Sequence, residues 1–446
     1  MKRPARLCGV RDNSKQQGRA PNPIVAWLCF VGVLFPGGLV ASNALGPKLT
    51  VGRGALLLLV LPALIRLGKS YRRLIVADYL MGTTAVWMIG VAAYVGGTES
   101  MSSAGAQATE LAGAYFVARG FFLGPEAVAV FIRALKGTLA IVVLLGIADT
   151  LSGRLFIHEA LARLANSAPL LAPDFRINLV RAASTFDHPI LFGTFCTISG
   201  VILMGSETKP AKWIKWVGIS GLGCFVALSS GPLLSLLIAL GAYAYDRSLK
   251  QFPWRGSLFW TLIVSLVIVL FAVTNRPVAW IITNLTLDPV SGWFRLMIWD
   301  LALARIDEQP FTGFAFLPLN DYILDYTVDS VWLQLALRFG LPMIAMLILV
   351  NISTVIGDSG AQVRGSEEVD TDRLKWGFSA AVVMLMLTGL TVHYWHFVWI
   401  FWGLCLGIRG SLRESSLTEG PYPAAQLVRF PDPIAELPQV RSYGRS

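Results

Sequence analysis

The apolar residues of this chain fall into a series of blocks long enough to cross a lipid bilayer, and that pattern constrains the fold more than any other feature. A spanning helix needs about 20 mostly apolar residues, with some tolerance for shorter ones. Blocks of this kind lie at roughly 24–41, 51–65, 75–95, 106–123, 137–150, 188–206, 213–229, 231–246, 257–274, 330–355, 377–391 and 396–408. Only 14% of the residues are charged, against about 25% in soluble domains. A hydrophobic share of 55% also excludes a disordered chain. The pattern predicts an all-α polytopic membrane protein of about twelve transmembrane helices. The block at 106–123 is the weakest, because Glu110 and Arg119 interrupt it. The blocks at 213–229 and 231–246 are separated only by a Ser229-Ser230-Gly231-Pro232 turn.

Basic residues set the expected orientation. The chain has 37 Lys+Arg against 27 Asp+Glu, a surplus that in a membrane protein holds the cytoplasmic loops inside and calls for no nucleic-acid partner. Lys2, Arg3, Arg6, Arg11, Lys15 and Arg19 keep the first 23 residues in the cytoplasm as a basic tail. Alternation then puts Arg66, Lys69, Arg72, Arg73, Lys209, Lys212, Lys215, Arg247, Lys250, Arg255, Arg409 and Arg413 on the same side. Nine helices within 24–274 enclose an outside loop at about 151–187. A larger outside loop follows at 275–329, then three helices within 330–408 and a cytoplasmic tail over 409–446. The first block runs straight into a polytopic body and reads as an uncleaved span. Five cysteines, four of them in apolar blocks and none in a CxxC pair, give no disulfide framework or zinc site.

The outside loops carry the chemistry. Residues 294–306 (FRLMIWDLALARI) read as a short amphipathic helix stopped by Pro310. Arg295 and Arg305 lie on it, with Trp299 beside them, and Arg181 precedes the sixth block in RAASTFDHPILFG. Arginine grips phosphate oxygens through a permanently charged fork, so a pair beside an apolar groove can hold the diphosphate of a lipid-linked substrate; equally, each can cap a helix or sit at the headgroup level. Asp321, Asp325 and Asp329 precede the tenth block. Such a carboxylate can take a proton from an attacking hydroxyl, or Asp329 or Ser330 can cap the span. Asp325 and Asp329 share a face if their stretch is helical. Asp187 and His188 stand at the mouth of a span, where a substrate contact is expected. His393 and His396 flank Tyr394 and Trp395 in a short turn that reads as an interfacial aromatic belt. The Gly357-Asp358-Ser359-Gly360 string lies in a charged loop without a supporting histidine, and Asn284 fits a glycosylation sequon by chance.

Taken in order, these segments resemble the O-antigen ligase and polymerase family of bacterial envelope membrane proteins. The resemblance is carried by Arg181 through Pro189 with Gly193, by Ser229 through Leu233, by Arg295 with Ile298, Trp299, Pro310 and Gly313, and by Val328 through Leu333 followed by Arg338 through Pro342. It implies transfer of a glycan from an undecaprenyl-diphosphate carrier to a sugar hydroxyl at the periplasmic face of the inner membrane, without metal or soluble cofactor. Arg181 and Arg295 match the arginines that engage the diphosphate. Membrane lipid, a glycan donor and acceptor, a flippase and a chain-length regulator are the partners that go with such a reaction. Many members carry His-Asn where this chain has Asp329-Ser330; an aspartate there is similar to the exopolysaccharide-polymerase branch. Polymerase is therefore favoured over ligase, with Asp329 as base, His188 in reserve and Asp187, Trp299, Asp325 and Arg305 as substrate contacts. The rival reading is a polysaccharide or lipid transporter, which would place ionisable groups near the bilayer midplane.

Overall fold

A computed structural model of the protein describes residues 22–37, 40–41, 49–69, 72–164, 171–274, 280, 289–356 and 371–418. The expected basic tail, the Asn284 sequon, the Gly357–Gly360 string and most of the last tail lie outside them. The described chain is almost entirely helical: α1 (Pro23–Phe30), α2 (Val51–Leu67), α3 (Val76–Ala108), α4 (Ala114–Phe121), α5 (Pro125–Ser152), α6 (Phe156–Leu164), α7 (Pro189–Ser206), α8 (Pro210–Val226), α9 (Ser230–Leu249), α10 (Arg255–Val273), α11 (Pro289–Glu308), α12 (Tyr322–Thr327), α13 (Val331–Phe339), α14 (Leu341–Val355), α15 (Thr371–Thr388) and α16 (Phe397–Thr418). Among the described residues, three stretches are long and apolar enough to cross a membrane: Val76–Phe121, Pro125–Ser152 and Pro189–Ser206. Pro23–Val33 and Leu341–Val355 are apolar but shorter.

The first stretch is a hairpin. Gly97 takes φ +66° and ψ −156°, a conformation only glycine adopts at little cost. The chain reverses there, so Asp78 near its start meets Arg119 near its end at 2.8 Å. The two arms fall on the blocks at 75–95 and 106–123, and the second contains a π-helical turn at Thr109–Gly113. The second arm packs along α16 through two glycines four residues apart. A Cβ on Gly403 would meet Ala114 Cβ at 2.9 Å, and one on Gly407 would meet Ala118 Cβ at 2.6 Å. This is the small-residue spacing that lets helices approach backbone to backbone.

α7 is the central post, buried over nearly its whole surface and packed by α5, α8, α9 and α15. Pro189 at its first turn and the His188 ring, whose Nδ1 accepts from Ile190 N at 3.1 Å, start it sharply. Gly193 lets it touch the α8–α9 turn, because a Cβ there would meet Pro232 at 3.0 Å and Ala227 at 3.2 Å. Gly193→Val is expected to cost about 1–3 kcal/mol by overpacking, read as a lower melting midpoint in detergent. Gly218→Ala, whose Cβ would meet nothing within 4 Å, should melt as the wild type does.

Three sequence expectations need correction. The block at 330–355 is two helices, broken at Gly340 (φ +77°) where Trp87 Nε1 donates to the Phe339 carbonyl at 3.0 Å. Asp325 and Asp329 do not share a helical face, because α12 ends at Thr327 and Val328 is extended. A helix is present over 294–306 and is longer, from Pro289 to Glu308; it buries Ile298, Ala302 and Ile306 but leaves Trp293, Phe294, Met297 and Leu303 exposed, so it is not cleanly amphipathic.

Candidate functional site

The segment between α6 and α7 is built around a tight hairpin. Phe175–Arg176 pairs antiparallel with Leu179–Val180, and the two turn residues, Ile177 and Asn178, both take positive φ. Positive φ at both positions matches the right-handed twist of the strands. Behind it, the Asp149 carboxylate accepts from Ser184 N at 2.7 Å and Phe156 N at 2.9 Å, and His158 Nε2 bonds the Phe186 carbonyl at 3.0 Å. These groups fix the RAASTFDHP string against the end of α5.

The hairpin presents two arginines to the end of α8. Arg176 donates to the Leu228 carbonyl at 3.0 Å and Arg181 Nε to the Ala227 carbonyl at 3.4 Å. Arg181 Nη1 also holds Asp174 at 2.6 Å. The helix-capping role weighed for Arg181 is therefore real, since its Nε meets a carbonyl just past a helix C-terminus. It uses only part of the fork: Nη2 makes no bond to a described residue. The Arg181 side chain is 6% exposed. Burial, with Arg176 and Arg295 adding like charge, pulls its pKa below the usual arginine value, while Asp174 opposes this.

Arg295 lies on α11, more than a hundred residues on. Its charge reaches Arg181, His188 and Asp329. Arg295, Trp299, Asp329, Ser330, Leu333 and Thr391 line a narrow cleft. Ser330, not Asp329, caps α13, so the Asp329 carboxylate is left to face the surface. Protein packed around it raises its pKa above the ordinary aspartate value, and the Arg295 charge works in the opposite direction. Burial first, then Arg181 and Arg295, push the His188 imidazole down to about 4. His188 is therefore neutral near pH 7. Because its Nδ1 accepts from Ile190 N, its proton sits on Nε2. With its proton on Nε2 it is a donor and a poor base, which counts against it as the reserve proton acceptor.

The cleft thus holds Arg295, Asp329 and Trp299, while Arg181 and His188 lie outside its lining but within range of the Arg295 charge. The structure separates the rest. Asp187 turns the other way, with its Oδ2 3.9 Å from His396 Nε2. His396 lies 3.6 Å from Glu110, which Arg53 holds at 2.8 Å, forming a second polar cluster. Asp325 accepts from Leu319 N at 2.7 Å, and half-buried Arg305 bonds Glu308 and the Leu319 carbonyl and covers the Phe314 ring. Both hold the segment after α11 in place. Sequence reading missed Asp174, Arg176 and Asp149. A Pro-Asp pair ahead of an alternating stretch was the only signal, and the Ile177-Asn178 turn lacks the usual Asn-Gly mark. Compared with known proteins, the chain matches no protein-family model and no curated protein.

Proposed function

We propose that the protein is a polytopic inner-membrane glycosyltransferase of about twelve spans, with both termini cytoplasmic. In this reading it transfers a glycan from undecaprenyl diphosphate to a sugar hydroxyl at the periplasmic face. The observation that supports this is the cleft that Arg295 and Trp299 share with Asp329, with Arg181 and His188 within range of the Arg295 charge. The acceptor oxygen attacks the anomeric carbon of the donor sugar. The bond from that carbon to the diphosphate oxygen breaks, and the diphosphate leaves on its polyprenyl chain. Arg181 and Arg295 meet the negative charge gathering on the diphosphate, where fixed cations act most strongly. His188 Nε2 donates to a phosphate or sugar oxygen. Asp329 takes the acceptor proton, a task for which a raised pKa is suited. Exopolysaccharide, capsule or O-antigen repeat units are the favoured substrates, and polymerisation is favoured over ligation to lipid A core.

The test is the size profile of lipid-linked glycan in a host lacking the gene, complemented by wild type or by Asp329→Asn. Single repeat units stranded on the carrier identify a polymerase; long chains left untransferred identify a ligase. A normal profile without the gene counts against both and favours the transporter. In a purified assay, wild-type transfer should fall as pH drops through the raised Asp329 pKa, because only the carboxylate accepts a proton. Asp329→Asn should lose about 10²–10⁴-fold in rate and show no such limb. An unchanged pH profile in Asp329→Asn would remove Asp329 as the base.

A further inference from the structure

Next to the reaction cleft, on the other side of α13, lies a cavity of about 290 Å³. Ser330 and Leu333 face the cleft; Gln334, Leu337 and Arg338 face the cavity. Its far wall is the segment 315–319, and Leu324, Tyr326 and Val328 close it from the α12 side. The walls are stitched by backbone bonds. Phe314 N donates to the Leu337 carbonyl at 2.6 Å, Ala315 N to the Arg338 carbonyl at 2.9 Å, and Leu341 N to the Pro310 carbonyl at 2.7 Å. Gly313, at φ +61°, permits this closeness, since a Cβ there would meet the Ala336 carbonyl oxygen at 2.9 Å. The cavity is therefore preformed and does not depend on a loose loop.

Its polar groups are unspent. Arg338 rests on the Phe316 ring at 4.6 Å and makes no ion pair or hydrogen bond with a described residue. A ring face steadies a guanidinium but leaves its edge donors open. Gln334 Oε1 is enclosed and has no hydrogen-bond partner among the described residues. Asp325, which also lines the cavity, gives its Oδ1 to Leu319 N, and Asp321, outside the lining, accepts from Ile323 N and Leu324 N. At the mouth, Tyr322 and Tyr326 are 85% and 80% exposed with ring centroids 5.7 Å apart. An exposed aromatic pair suits the apolar C–H face of a sugar ring.

We propose that this cavity is a sugar subsite for an acidic residue of the glycan, with the sugar carboxylate on Arg338, a ring hydroxyl on Gln334 and the next ring against Tyr322 and Tyr326. This rests on the glycan-transfer reading and narrows its substrate class to polymers that carry a uronic acid.

The test uses full-length protein in nanodiscs, with glucuronate as probe, glucose as neutral control and inorganic phosphate as plain-anion control. Glucuronate should quench tryptophan fluorescence saturably, and neither control should match it at equal concentration. Arg338→Gln should raise the glucuronate Kd at least tenfold. Gln334→Glu, which keeps the volume but adds a like charge, should do the same and covers a misfolded Arg338→Gln. Arg295→Gln should bind glucuronate normally while losing transfer, which separates the subsite from the reaction centre. Equal responses to glucose or phosphate, or wild-type affinity in a folded Arg338→Gln or Gln334→Glu, would overturn the proposal. Failure of glucuronate to bind a protein that still transfers glycan would overturn the subsite and leave the transfer reading intact.

Discussion

Arg295→Lys should reduce glycan transfer by about 10–100-fold and Arg295→Ala by about 10²–10³-fold, both at normal protein level. The reasoning starts from where the charge acts. Arg295 lines the cleft that holds Asp329, and its field reaches Asp329, His188 and Arg181 together. Lysine keeps the charge but supplies a point donor in place of a planar fork, so it offers one contact where a diphosphate accepts two. Arg305 is the internal control. It lies ten residues along the same helix but outside the cleft lining, held by Glu308 and the Leu319 carbonyl. Arg305→Ala should therefore keep activity within a few-fold. Equal losses at both positions would mean that positive charge on α11 matters only for binding the membrane surface. Removing Arg295 also removes the influence that lowers the Asp329 pKa, so the acid limb of residual activity should move to higher pH in Arg295→Gln.

The helical character was readable in the sequence, because apolar block length follows from helix rise and bilayer thickness, and three stretches among the described residues are long and apolar enough to span. Even the weakest block, around Glu110 and Arg119, falls on a real arm of the Gly97 hairpin. The Gly340 break was also marked, by Gly340 and Pro342 inside an apolar run, but run length hid the punctuation. Arg181 and Arg295 could be paired because both flank spans on one expected side. The roles of Asp325 and Asp329 could not be told apart from their spacing. What separates them is a helix end at Thr327 and a hydrogen bond to Leu319, which are matters of local geometry. Arg176 and Asp174 were invisible for a related reason: a two-residue turn with isoleucine at positive φ is not favoured by its own residues and is held by what surrounds it.

The largest stability effect is expected far from the cleft, at Arg119. Its side chain is fully buried, and every charged group around it lies on another element. Nε and Nη2 form a fork on the two oxygens of Asp78, each at 2.8 Å. Nη1 reaches Glu414 at 2.6 Å, and Arg72 closes the set on Glu414 at 2.8 Å. Tyr115 OH and Ile75 N complete Asp78, while Arg73 N completes Glu414. Two cations and two carboxylates are thus satisfied without water, tying the start of α3, the end of α4 and the end of α16 into one joint. Partners 41 and 295 residues away cannot be read from spacing. Arg119→Met leaves Asp78 uncompensated and Glu414 with Arg72 alone. That should cost about 3–5 kcal/mol, seen as a large drop in melting midpoint or in monodisperse yield. Arg119→Met with Asp78→Leu removes one charge of each sign and leaves the Arg72–Glu414 pair neutral. The double variant should therefore melt above the single one, the non-additivity expected of groups in one network. Strictly additive losses would mean that Arg119 contributes mainly by filling volume, and that the joint is held by packing on Gly403 and Gly407 rather than by charge.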